Sequence, residues 1–141
     1  MKKILGIDYG EVITGLSITD SSQEFAFGLK AIPTNKLMNF LDIFIDHERI
    51  KKIVIGLPKT FNNKEFLIEK SIKKFIYKFQ RKHPKIIIDR LDERLTSKMA
   101  FHTMIKLGLK KKKRRKKEIL NKISAILILQ SYLSIKRREK N

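Results

Sequence analysis

The chain has no cysteine, which excludes disulfides and thiolate zinc sites. It has no uninterrupted apolar run near the ~20 residues that cross a bilayer, so no transmembrane helix is expected. The opening apolar stretch Ile4-Leu5-Gly6-Ile7 is cut short by Asp8, too early for the core of a secretory signal. These absences predict a soluble, cytoplasmic protein. There is no internal repeat and no linker-like stretch, so the 141 residues read as a single domain over 1–141. Acidic residues are also scarce. Asp and Glu number 14 against 33 Lys and Arg, which leaves a formal net charge of +19.

What is present divides into charge and core. A charge excess of this size draws phosphate backbones and makes binding salt-dependent. Lysine supplies 25 of the basic residues, and isoleucine outnumbers valine 22 to 2, so a bias towards AT-rich codons accounts for part of the total. That bias does not account for the clustering. Lys110, Lys111, Lys112, Lys113, Arg114, Arg115, Lys116 and Lys117 are consecutive, within a basic loop over 108–117, and Lys136-Arg137-Arg138 opens a basic C-terminal tail over 136–141. At 42% hydrophobic the chain still has enough apolar side chains to bury a core, which rules out a disordered polycation.

The pattern predicts strands over 3–8, 14–19 and 25–32, joined by short turns as an antiparallel meander. A helix over 36–48 follows, with Leu37, Phe40, Leu41, Phe44 and Ile45 at helical spacing. Residues 52–58 read as a short buried strand. A long helix over 64–82 turns Leu67, Ile68, Ile72, Phe75, Ile76 and Phe79 inward and stops before Pro84. A fifth strand spans 86–91. A helix capped by Thr96 or Ser97 runs to Leu107, and a last helix runs from Glu118 to Ile135. A meander followed by βα crossovers gives an α/β fold, a mixed five-stranded sheet flanked by helices.

Asp8 ends the first strand, and Asp92-Glu93 end the fifth. Each has an ordinary reading, as a turn-capping acid or as an acidic pair before a helix N-terminus. If strands one, four and five are parallel neighbours, all three carboxylates meet at one end of the sheet, where open α/β sheets carry their sites. Oxygen donors gathered there suit hard divalent cations, Mg²⁺ or Mn²⁺, and hence phosphodiester hydrolysis. Lys59, Arg94 and the run Lys110–Lys117 are phosphate-binding candidates. Tyr9 beside Asp8 is the one aromatic kept as a substrate contact, with strand packing as its alternative. His47, His83 and His102 have no ligand spacing and read as surface or packing residues.

The strings Gly6-Ile7-Asp8-Tyr9-Gly10, Ile55-Gly56-Leu57-Pro58, Asp92-Glu93-Arg94-Leu95-Thr96-Ser97, Ile123-Ser124-Ala125 and Ile128-Leu129-Gln130-Ser131-Tyr132-Leu133 together resemble the YqgF/RuvX family of pre-16S rRNA nucleases, once also taken for Holliday-junction resolvases. The resemblance implies an RNase H-like fold and a metal-dependent nuclease trimming ribosomal RNA precursors. DNA junctions are its other implied substrate. A junction enzyme requires a homodimer, whereas an RNA-trimming enzyme can work as a monomer. The family's first catalytic acid falls on Asp8 and its second in the Asp92-Glu93 pair, with Glu93 favoured. Its third falls on Asn121, which brings an amide instead of a charge. Two further departures are Ile13, where the family has Arg, and Asn63, near a loop glycine position that Asn's tolerance of left-handed backbone makes mild. Glu118, three residues before Asn121, either replaces the missing charge or is a solvated helix acid. Asn121, Ser124, Ile128 and Ser131 share one helix stripe, which predicts a close approach of that helix to the sheet near Asp8. These departures leave a second function open, that of a non-catalytic RNA-binding assembly factor.

Overall fold

The computed structural model describes residues 2–58, 62–93 and 117–140. Strands β1 (Lys3–Asp8), β2 (Ile13–Thr19) and β3 (Ala26–Pro33) form the meander, followed by α1 (Leu37–Glu48), β4 (Ile50–Leu57), α2 (Asn63–Lys82), β5 (Ile87–Asp92) and α3 (Lys117–Lys140). The sheet order is β3-β2-β1-β4-β5. β1 pairs antiparallel with β2, and β4 pairs parallel with both β1 and β5. The expected mixed sheet is therefore found, with the C-terminal ends of β1, β4 and β5 on one edge.

Alternation along the strands sorts side chains onto two faces. Leu5, Ile7, Ile53 and Ile55 pack under α1 and α2 against Leu37, Leu41, Ile45, Ile72, Phe75 and Phe79. Their strand neighbours Ile4 and Val54, with Leu91, meet Ile128, Leu129, Tyr132 and Leu133 of α3. Asp8 is in phase with Ile4, so it belongs to the α3 face.

α3 lies closer to the sheet than ordinary helix packing allows. A Cβ placed on Gly15 would sit 2.0 Å from the Asn121 carbonyl oxygen, so only hydrogen fits there. The Ser17 hydroxyl then donates to the Ala125 carbonyl at 2.6 Å. The expected close approach is real. Its enabling residue is a glycine on β2, more than the small polar stripe of the helix.

Several local expectations shift. Leu67 does not face inward; it is 61% exposed, because the buried face of α2 is the row Ile72, Phe75 and Phe79 and Leu67 lies off that row. Asn63 takes the first position of α2, behind the N-cap Asn62, whose side chain accepts from the Glu65 amide at 2.9 Å. Left-handed backbone among the described non-glycine residues occurs at Gln23 and Arg49 instead. α3 continues through Lys140, so Lys136-Arg137-Arg138 belong to its last turns, not to a tail beyond it. The expected helix from Thr96 or Ser97 and most of the 108–117 run lie outside the described residues, as do Lys59 and Arg94.

Candidate active site

β1 carries Asp8 one residue past the Ile7–Ile55 pair, and the antiparallel ladder sets Asp8 opposite Gly15. On the other side β5 ends at Asp92, which pairs with Leu57 and is exposed. The chain then turns back, and the Glu93 amide donates to the Leu57 carbonyl at 3.2 Å. This turn lays the Glu93 side chain across Gly56. A Cβ on Gly56 would come within 2.1 Å of Glu93 Oε1, so a glycine is needed for the carboxyl to reach inward. Glu93 is thus the member of the acidic pair that meets Asp8, and the two carboxyl groups share a hydrogen bond.

Burial holds the Asp8 carboxyl well above the ordinary carboxylate range, and the adjacent Glu93 charge and hydrogen bond push it the same way. Two carboxyl groups in contact form a site short of positive charge. Such a pair fits a hard divalent cation by donor chemistry, because both donors are carboxylate oxygens. Among the described residues no group of three or more His, Cys, Asp or Glu side chains gathers around one point. The fit is therefore to two carboxylates.

Asn121 packs against the β1–β2 turn and against Gly15, the residue that pairs with Asp8. Its amide nitrogen donates to the Ile13 carbonyl at 2.7 Å and approaches Gly10 at the turn between β1 and β2. Asn121 and Ile13, read from the sequence as departures from the family pattern, meet in this contact, which uses only the backbone carbonyl of Ile13. A carboxylate at position 121 could not make that donation unless protonated. Glu118 is exposed in the first turn of α3. The turn itself is pinned by threonines. Thr34 donates its hydroxyl to the Gly10 carbonyl at 2.8 Å and lies 2.8 Å from the Thr14 hydroxyl.

Two contributors were missed from sequence. Arg90 grips Glu69 of α2 through both guanidinium nitrogens, at 2.6 and 3.0 Å, and also donates to the Gly56 carbonyl at 3.0 Å. It therefore fixes the backbone beneath Glu93. An arginine flanked by Ile87, Ile88 and Leu91 inside a strand was the available signal. The second is a cavity of about 310 Å³ on the α2 side of the sheet, the face opposite to Asp8, lined by Tyr9, Glu11, Lys64, Leu67, Ile68 and Ser71. Tyr9 is half-buried there, its ring 5.8 Å from that of Phe75, so the packing and cavity-lining readings of Tyr9 both hold.

A mixed sheet in the order 3-2-1-4-5, with an acid ending the central strand and a helix laid across that face, defines an RNase H-like fold. Solved structures agree on the fold. Thermus thermophilus RuvC in complex with a Holliday junction substrate superposes with a TM-score of 0.59 at 12% identity, covering 97% of this chain and 96% of that one. The fowlpox virus resolvase in complex with Holliday junction DNA gives 0.52 at 12% identity, covering 95% and 98%. The profile of the family described as RuvX, Holliday junction resolvase, matches residues 2–135. The chain belongs to the RuvX family. Its relatives include proteins of Bacteroides thetaiotaomicron, 41% identical over 97% of this chain and 99% of the relative, and of Karelsulcia muelleri, 46% identical over 94% and 99%. A protein of Flavobacterium psychrophilum is 45% identical over 96% and 99%. All three carry the name "Putative pre-16S rRNA nuclease".

Proposed function

We propose that this protein is a divalent-metal-dependent nuclease that hydrolyses phosphodiester bonds in precursor 16S ribosomal RNA, in the cytoplasm. The observation that carries this reading is the Asp8–Glu93 pair, two carboxyl groups in hydrogen-bond contact at the C-terminal ends of parallel strands. The names of its relatives support RNA as the substrate. No helix among the described residues is long and apolar enough to cross a membrane.

Asp8 and Glu93 would hold the cation, Mg²⁺ or Mn²⁺, which when bound supplies positive charge to the phosphoryl oxygens. Arg90 keeps Gly56 in place, so Glu93 stays aimed at Asp8. The pinned Gly10 turn keeps Asp8 and Tyr9 from drifting. Asp92 is assigned no ligand role, since it is exposed at the strand end. Asn121 braces the β1–β2 turn and contributes position in place of charge. Lys59, Arg94 and Lys110–Lys117 remain proposed phosphate contacts, resting on charge and on place in the sequence.

The test is cleavage of a precursor 16S fragment by the purified chain with Mg²⁺ or Mn²⁺, beside Asp8→Asn and Glu93→Gln. Metal-dependent cutting lost in both variants supports the reading, and no cutting by the parent overturns it. The Asn121–Ile13 contact favours one second reading, an RNA-binding assembly factor that no longer cuts. An inert parent and an active Asn121→Asp variant would favour it. Cleavage of a four-way DNA junction by a two-fold dimer would instead point to resolvase activity.

A further inference from the structure

α2 buries Ile72, Phe75 and Phe79 and turns a different surface outward. Phe66, Lys70, Lys73, Tyr77 and Arg81 are all exposed, the two aromatics at 58% and 62%. Their spacing of four, three, four and four residues confines them to about 80° of the helix circumference and strings them over about 22 Å. No acid interrupts this stripe. Glu69 is turned aside and held by Arg90 at 2.6 Å, and Glu65 lies in the first turn beside the N-cap. Within the stripe each ring carries a cation, Lys70 Nζ at 5.8 Å from the Phe66 centroid and the Arg81 guanidinium at 5.6 Å from that of Tyr77. Lys74 and Lys78 flank it, also exposed.

We propose that this stripe is a binding track for the single-stranded flank of the nucleic-acid substrate, leading away from the Asp8–Glu93 end. The assignment rests on the nuclease reading only for the identity of the strand. Two exposed rings within a row of cations match single-stranded nucleic acid, whose unpaired bases stack on aromatics while the phosphates meet the charges. A duplex hides its base faces and would leave Phe66 and Tyr77 unused. A second copy of the chain would set like charges against like across a two-fold axis. A membrane would need an apolar face, and the apolar face of α2 is in the core. The track also has a starting point, because α2 follows β4 and so begins at the edge of the sheet where β1 and β5 end.

The test is fluorescence anisotropy with a labelled single-stranded RNA of about 20 nucleotides, long enough to cover several strand contacts, in EDTA so that nothing is cut. A triple variant Lys70→Gln, Lys73→Gln, Arg81→Gln is compared with Lys36→Gln, Lys51→Gln, Lys85→Gln, which removes equal charge from exposed positions off the stripe. The stripe variant should weaken binding about tenfold more than the control and flatten the slope of log affinity against log salt by roughly 2, near 0.7 per lost contact. Phe66→Ala with Tyr77→Ala should weaken binding roughly tenfold with the salt slope unchanged. Equal loss in stripe and control variants would overturn the proposal, leaving bulk charge as the cause. Equal competition by duplex RNA, or a change of oligomeric state in the stripe variant, would also overturn it. Cleavage of the same RNA with Mn²⁺ is scored separately. Stripe-dependent binding without cleavage would sink the nuclease reading alone, and cleavage with stripe-independent binding would sink this one alone.

Discussion

The α3 face of the sheet holds two polar clusters that solve the same problem in opposite ways. Towards the start of β4, Lys52 donates to the Tyr132 hydroxyl at 2.8 Å, and that hydroxyl donates to Asp89. Lys52 also stands 3.8 Å from Asp89, so the carboxylate has a cation and a donor at hand. At the other end, Asp8 has a second acid for a neighbour. The first cluster ties α3 to β4 and β5. The second is held together although its charges oppose, which folding alone would not favour and a bound cation would relieve.

Substitutions can break this contrast. Asp8→Asn should cut RNA cleavage at least about 10³-fold, as loss of a group acting in a catalytic unit does. Without metal, the same change should raise the thermal midpoint at neutral pH. The sign follows from the raised carboxyl of Asp8. The folded state holds that proton more tightly than the unfolded chain, so stability from this group is present at low pH and lost as pH rises through the unfolded and then the folded value. The gain in Asp8→Asn should therefore shrink in acid, which melting curves across pH will check.

Gly15→Ala tests whether α3 closes the site end. With a backbone oxygen 2.0 Å from the new Cβ, it should cost about 3 kcal/mol in denaturant unfolding and loosen the Asn121 contact. Tyr132→Phe sharpens the contrast from the balanced end. Loss of the hydroxyl between Lys52 and Asp89 should destabilise by about 1 kcal/mol, opposite in sign to Asp8→Asn. The smallest effect belongs to a surface cluster. His83 and Lys82 hydrogen-bond Asp42 at 2.8 and 3.0 Å and lower its carboxyl, His83 most. That contribution is present at neutral pH and lost as pH falls through the lowered folded value. Asp42→Asn should cost about 0.5 kcal/mol at pH 7 and nothing in strong acid, by the same melts.

The sheet order and the meeting of Asp8 with the 92–93 pair were legible because each rests on a short local string at a strand end. Which of Asp92 and Glu93 lies against Asp8 depends on how the chain turns after β5, where the Glu93 amide bonds back to Leu57 and the Glu93 side chain crosses Gly56. The role of Gly15 was not legible, because its partner Asn121 lies more than a hundred residues away. The same holds for the amide direction of Asn121, which follows the Ile13 carbonyl. Leu67 misled because helical spacing marks a broad apolar arc without saying which row of it turns to the core, and that row is Ile72, Phe75 and Phe79.

The close seat of α3 also sets an order of assembly. Gly15 and Ser17 are made early, and the helix that covers them is made more than a hundred residues later. While the chain is being synthesised, β1 and β2 can pair and the α1 side can fill, yet the face bearing Asp8 stays bare until residues 117–140 emerge. The sheet face that bears Asp8 therefore gains its last wall only when that helix docks.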